Sequence, residues 1–502
     1  MKKIYMWLLS ACLLTMSSCE DDLNLTPISN GSAPAFYKTP ADFEQALNAA
    51  YNQLRGYPDR ILIMSELRSD NIYGVSSQGV RDWDAINNFN STLPGNPYVA
   101  DTWAADFNAI FRANTFLDQL AQNGAVTGEA LRKRYEAEAR FLRAFFYFDM
   151  VRMFGKVPVI DKALIPQEVA KVPRSPVEQV YSLIISDLEF AKDNLAPSYT
   201  GLNVGRATTG AAKGLLALVY LTRSGPTYGI EGPGLGLNEY DKALALLNEI
   251  INRNNTAAYS LVPSYPNVFS YTNENNSEVL FDVQYIVGNG ATHPGVMVAQ
   301  NFFTFLGIPF DSRGIENKPV STDLVSSYAA TDARKTFSIQ QGYTQAGVVE
   351  NRAVLKKYIS AAGRSTGGTD WPINFIVMRY ADILLMKAEC IVRGNVGGTQ
   401  ADAVALVNQV RVRAGQPALT ATNITNAQLM EERRREFVGE GLRWHDLVRS
   451  GLAVTTMSTW AAREDVSNKI ERNNIKPTYT IYPVPQYELS AVPGLYEQNT
   501  DY

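Results

Sequence analysis

Apolar residues recur at three- and four-residue spacing over most of the chain, and that period predicts α-helices at 41–54, 101–120, 129–154, 176–195, 208–222 and 240–252. Further helices are expected at about 375–393, 400–413 and 427–450, several with Pro or Asp at the start and Gly at the end. Alternation is rarer: Val279 to Tyr285 reads as a short strand. The octet from Ala243 to Ile250 recurs from Ala403 to Val410, with four identities and four close substitutions. Each copy follows a helix of matching form, in which a Leu-Leu pair precedes a glycine by ten residues: Leu215-Leu216 before Gly225, and Leu384-Leu385 before Gly394. The longer gap in the first copy is filled by a Gly/Pro-rich insertion at 226–237. Repeated helix-turn-helix units with small residues at close approaches predict a mainly α fold, a tetratricopeptide-like stack of helical hairpins.

Two stretches break the helical pattern, at about 57–100 and 255–375, where Tyr, Trp and Phe are scattered among Gly, Asn, Ser and Pro. They are too long for simple connections and are expected to form irregular, aromatic-rich insertions with a few short strands, a second lobe laid on the helical scaffold. The predicted organisation is an export segment at 1–18, a flexible tether at 19–35 and a single domain at 36–502 carrying both insertions.

Composition narrows the function. The 502 residues are 46% apolar, which excludes disorder, and carry 46 basic against 50 acidic side chains for a net charge of −4. A nucleic-acid binder needs an excess of cations to displace counterions, so nucleic acid is not an expected partner. With only two histidines, His293 and His445, and three cysteines, neither a metal centre nor an imidazole-based catalytic site is expected, and no cofactor is implied.

Lys2 and Lys3 precede an apolar run of about 13 residues, too short to span a membrane and of the order expected for export. The run ends in Ser17-Ser18-Cys19-Glu20-Asp21-Asp22, which looks like a lipoprotein cleavage box with Cys19 as the lipidated residue. The competing Leu9-Ser10-Ala11-Cys12 would leave the apolar run too short. Cleavage before Cys19 removes two of the 46 basic residues and no acidic ones, leaving 44 against 50 and a charge of −6. Cys390 is then the one thiol left in the folded domain, so no intramolecular disulfide is expected.

Five segments together resemble the SusD/RagB-like outer-membrane lipoproteins of Bacteroidetes nutrient-uptake systems. They are Ala139 to Pro158; Gly205 to Thr208 with Ala211 to Ala217; Arg379 to Glu389, continued by Asn408 to Gly415; Glu432 to Glu436 with Glu440 to Leu447; and Tyr482 to Leu489 with Gln498-Asn499. Leu442, His445 and Thr500-Asp501 depart from the family pattern. The resemblance implies a non-enzymatic, tetratricopeptide-containing protein of the cell outer membrane. It would be lipid-anchored and facing the exterior, would bind an oligo- or polysaccharide, and would dock on a SusC-like TonB-dependent transporter. A peptide ligand, as on the RagB side of the family, is the alternative; a glycoside hydrolase using two of Asp70, Asp82 and Asp84 is a further one.

The motifs themselves read first as scaffold. Arg433-Arg434-Arg435 among Glu431, Glu432, Glu436 and Glu440 is expected to be an ion-paired helix rather than an anion site, Phe145 to Phe148 a buried helix segment, and His445 a core histidine. Ligand contacts are expected on the aromatic insertions. A sugar offers a C–H face and a rim of hydroxyls, which calls for flat rings beside planar hydrogen-bonding groups. Tyr73 and Trp83 supply the rings and Asp70, Asn71 and Arg81 the polar groups, with Tyr285 and the cluster from Phe302 to Phe310 as an opposing wall.

Overall fold

A computed structural model describes residues 36–76, 79–288, 293, 295–308, 318–363, 370–465 and 468–502. The export segment, Cys19 and the tether lie outside the described residues, as does Phe310 at the end of the predicted wall.

Eight long helices follow one another in space as they do in sequence: α1 (Pro40–Tyr51), α2 (Pro97–Asn123), α3 (Glu129–Phe154), α4 (Val177–Asn194), α5 (Thr209–Arg223), α6 (Tyr240–Ile251), α7 (Tyr380–Gly394) and α8 (Gln400–Arg413). Each packs against the next, so the octet repeat forms the second helices of two hairpins, α5–α6 and α7–α8, with α6 against α7. The expected stack is therefore the scaffold. Gly394 explains one of the repeated glycines: a Cβ there would lie 2.4 Å from the Tyr240 side chain, so a larger residue would push the two hairpins apart. Thr399 and Asp402 close a reciprocal cap at the start of α8, and Thr208 caps α5 through the Ala211 amide.

Helix α3 is the centre of the stack. Phe145, Phe146, Tyr147 and Phe148 are all buried, and Tyr57 meets Phe145 edge-on at 4.9 Å. Arg143 of α3 makes a two-pronged bond to Asp187 of α4, at 2.7 and 2.8 Å, which joins the helices through charge as well as apolar contact.

Three expectations change. Residues 375–379 form a strand, β4 (Phe375–Arg379), antiparallel to β1 (Val279–Val283), and α7 starts only after it. The predicted helix at 427–450 is two helices, α9 (Asn426–Phe437) and α10 (Arg443–Ser450), separated by Gly439 and Gly441 at φ 75° and 77°. The first insertion is not laid on the scaffold but runs through it. A helix at Tyr57–Ile61 continues into a single π-helical turn at Leu62–Glu66, and Ile61 to Met64 and Leu67 lie in the same apolar core as α3. The second insertion supplies a hairpin, β2 (Ile339–Gln345) and β3 (Val348–Leu355), and contributes Phe302, Phe303 and Val354 to that core. Helix α11 (Ala453–Glu464) follows α10 and packs on it.

Candidate functional site

The fourth motif folds into a buried ionic hub. Arg379, fully buried at the end of β4, reaches Glu278 at 2.7 Å, Glu436 at 2.6 Å and Glu440 at 2.9 Å. Arg433 bridges Asp382 of α7 and Asp446 of α10, and Arg334 holds Asp332, Glu432 and Glu436. Burial by itself would raise the Glu436 carboxyl, but the guanidinia of Arg413, Arg379 and Arg334 outweigh it and bring it down to about 2. The expected ion-paired reading of Arg433-Arg434-Arg435 holds, with the pairs inside the protein rather than in solvent. His445 is buried too, held neutral by burial and by the nearby Arg152 and Arg449, and its Nε2 has no partner among the described residues.

Asp70 and Asn71 belong to this hub and not to the surface. The chain turns after the π-helical segment, with Ser69 Oγ donating to the Glu66 carbonyl at 2.7 Å. That turn points the Asp70 carboxylate at Arg443, which donates to both its oxygens at 2.7 and 2.8 Å, with Arg434 at 3.0 Å. Burial opposes ionisation there, yet the two guanidinia hold the carboxyl down at about 2. Asn71 donates to Glu66 at 2.8 Å and accepts from Arg434 at 2.9 Å. The other Glu66 oxygen takes the backbone amides of Gly439 and Gly441, both at 3.0 Å, and those amides converge because both glycines sit at positive φ. Asp70 and Asn71 were expected to grip ligand hydroxyls; their polar atoms are instead spent on arginines and on Glu66, 1% exposed in each case.

The chain emerges immediately afterwards. Ile72 bridges to Val320 and the Tyr73 amide donates to the Pro319 carbonyl at 3.0 Å, which fixes a half-buried Tyr73 at the surface. Arg81 then caps a short helix, Asp82–Asn87, whose Asp84 accepts the Arg81 amide at 2.9 Å and the Ser76 hydroxyl at 2.8 Å. Trp83 lies half-buried, with Lys318 Nζ 4.0 Å from its ring centroid. Gly74 lets the backbone pass the ring, since a Cβ there would sit 3.0 Å from it.

Next to Tyr73 stands a pair that sequence reasoning missed, Arg352 and Glu350 of β3, joined Nε to Oε1 at 2.7 Å and close enough for both charges to act on the Tyr73 phenol. Tyr343 of β2 pairs across the hairpin with Glu350 and packs its ring on Phe302 and Phe305 at 5.3 and 5.2 Å. The local signal for this hairpin was Ala346-Gly347, both at positive φ in the turn, before the β-branched Val348-Val349. Tyr73, Trp83 and Tyr343 are thus partly exposed rings, each with a charged neighbour: Arg352 near Tyr73, the buried Lys318 over Trp83, and Glu350 across the hairpin from Tyr343.

Tyr285 does not oppose that surface. It is 4% exposed, donates to the Arg55 carbonyl and packs on His293 at 5.3 Å; burial pushes its phenol up and brings the His293 imidazole down to about 4. Of the predicted wall, Phe302 and Phe303 are buried and Phe305 is 37% exposed. Among the described residues no three His, Cys, Asp or Glu side chains come together as a metal site, and no helix is long and apolar enough to cross a membrane. Cys390 is buried and, among the described residues, unpaired.

A sequence model of the SusD family matches residues 328–502, and a second model, described as starch-binding and associating with the outer membrane, matches residues 28–221. The chain belongs to the SusD/RagB-like family. A SusD-like protein of Formosa agariphila is 29% identical over 497 residues, covering 90% of this chain and 92% of that one. A surface glycan-binding protein A from Bacteroides uniformis superposes with a TM-score of 0.76 at 26% identity, over 92% of this chain and 99% of its own. A laminarin-binding SusD-like protein superposes with a TM-score of 0.73 at 27% identity, over 93% of this chain and all of that one. In this SusD-like chain both matched ends meet in one place: the hub joins Glu66, Asp70 and Asn71 from one model's span to Arg434, Arg443 and Gly441 from the other's.

Proposed function

We propose that this SusD-like protein binds an uncharged oligo- or polysaccharide at the outer membrane, and that Trp83 and Tyr73 form its stacking platform with Arg81 beside them. The observation that carries this reading is the pair of partly exposed rings, Tyr73 and Trp83, brought near each other by the close pass of Gly74 against the Trp83 ring, just beyond the paired Asp70 and Asn71. Flat faces fixed in place lose little conformational freedom when a sugar stacks on them. Asp70 and Asn71 support the platform from below, Lys318 backs the Trp83 ring, and Tyr343 and Arg352 extend it. The family's description as starch-binding, and the laminarin-binding relative, support a glucan as ligand.

Binding rather than cleavage fits the carboxylates near the platform. A glycosidase needs two of them facing one another across about 5 to 10 Å of open cleft. Asp70 is locked on arginines and Asp84 is occupied as a helix cap, which leaves Asp82 alone of the three on the surface. Cys19 is the proposed lipid attachment, and delivery to a SusC-like TonB-dependent transporter is the proposed outcome of capture. Calorimetric titration with maltohexaose and laminarihexaose tests the ligand, and Trp83→Ala should weaken whichever binds; unchanged affinity rejects the platform. Binding of peptides but of neither glucan would move the protein to the RagB-like reading. Loss of membrane association and of fatty-acid labelling in Cys19→Ala tests the anchor, and copurification with a large barrel tests the partner.

A further inference from the structure

Beside Asp70, a cleft of about 500 Å³ opens between the short helix Thr322–Ser327, α9 and α11, within the roughly 300–1,000 Å³ of small-molecule sites. One face of α11 lines it: Leu452, just before the helix, then Thr455, Thr456, Thr459, Trp460 and Arg463, at spacings of three and four. Threonine is a poor helix former, and here three of them face open space instead of packing. The hydroxyls of Thr455 and Thr456 make no hydrogen bond among the described residues, and Thr459 donates to the Thr455 carbonyl at 2.9 Å with its acceptor pairs left over. Trp460, 2% exposed, lines the floor, and its indole N–H is buried without a partner among the described residues.

The charges in the cleft balance. Arg434 pairs with Asp70 at 3.0 Å and Asp323 at 2.7 Å, Arg443 with Asp70 and Glu431 at 2.7 and 2.8 Å, and Arg463 with Asp323 at 2.7 Å. A charged ligand would have to break one of these pairs. An uncharged polyol would not: vicinal hydroxyls each donate and accept, and the walls offer donors and acceptors side by side above an apolar floor of Trp460 and Leu452. The cleft adjoins Tyr73, which packs against the apolar cluster containing Trp460. Glu464, next to Arg463, accepts the Thr322 and Asp323 amides at 3.2 and 2.9 Å and so ties the two cleft walls together.

We infer that this cleft is a second carbohydrate subsite, which takes an uncharged sugar unit further along the same chain that stacks on Trp83. The inference rests on the proposed glycan binding and adds a chain-length requirement to it: a short saccharide fills the platform alone, and a longer one also reaches the threonine face.

The test uses the full chain, with whichever of laminarihexaose and maltohexaose binds more tightly, beside the corresponding disaccharide. Thr456→Val with Thr459→Val removes two hydroxyls without changing side-chain shape, and Arg463→Gln changes the exposed rim independently. Calorimetry should show the hexasaccharide Kd rising roughly tenfold or more in the threonine variant, since each lost hydrogen bond is worth about 1 kcal/mol, with the disaccharide Kd unchanged. Arg463→Gln should shift the hexasaccharide alone, and both variants should keep the wild-type thermal midpoint. A hexasaccharide Kd equal to wild type in both variants overturns the subsite; if Trp83→Ala still abolishes binding, the platform survives that result. Wild-type protein that binds neither hexasaccharide overturns both.

Discussion

The hub and the platform lie within a few residues of each other along the chain, and they use charged and aromatic side chains in opposite ways. In the hub, Arg379, Arg433, Arg434 and Arg443 are almost completely buried, and each finds two or more carboxylates. On the platform, Tyr73 and Trp83 are only partly buried, with Arg352 and Lys318 alongside. The fourth motif thus spends its charges on holding the fold together, and the proposed platform is built from Tyr73 and Trp83, which lie outside the five segments. A buried ion network adds little net stability over an apolar core, but it is intolerant of a missing partner, which makes it a device for fixing geometry.

That contrast can be broken from either side. Arg379→Met should have the largest effect, about 3–5 kcal/mol off the unfolding free energy by urea titration, because Glu278, Glu436 and Glu440 lose a common partner inside the protein. Acid should act on the same hub more gently. Asp70 and Glu436 titrate near 2 when folded and near 4 when unfolded, so the stability they contribute is complete above about pH 4 and is lost as pH falls toward 2. That amounts to about 2–3 kcal/mol for each group, measurable as a urea midpoint that falls as pH drops below about 4. Trp83→Ala should cost less stability than Arg379→Met, since its ring only flanks the core, and about 2 kcal/mol of glycan affinity, a rise of roughly thirtyfold in Kd by calorimetry. Gly394→Ala should cost about 1–2 kcal/mol of stability by wedging Tyr240, with glycan affinity intact. A variant that moved stability and affinity together in proportion would erase the distinction between the two regions.

Helix α3 was legible to both ends, because Gly128 and Gly155 bracket an unbroken apolar pattern, and the octet repeat led directly to the stacked hairpins. Strand β4 was not, since a short apolar run such as Phe375 to Met378 reads equally as a strand or as the first turn of the helix after it. The break between α9 and α10 was marked by Gly439 and Gly441, but their purpose lay in Glu66, far away in the chain. The same distance concealed the true role of Asp70 and Asn71: a buried carboxylate cannot be told from a surface one until its arginines are found. Trp83 and Tyr73 were legible as ring-bearing loop residues, whereas Tyr343 and Arg352 needed the hairpin to be folded before they stood beside them.

The bonds from Glu66, Asp70 and Asn71 to the fourth motif span 363 to 375 residues of sequence. A chain made from its N-terminus onward cannot close this hub until nearly all of it has been synthesised, and Glu66, Asp70 and Asn71 wait for their partners until then. Folding is therefore deferred by topology, with the slow closure that distant contacts impose. A polypeptide that must be threaded across a membrane before it folds would gain time from that delay, without needing a separate device to hold it open.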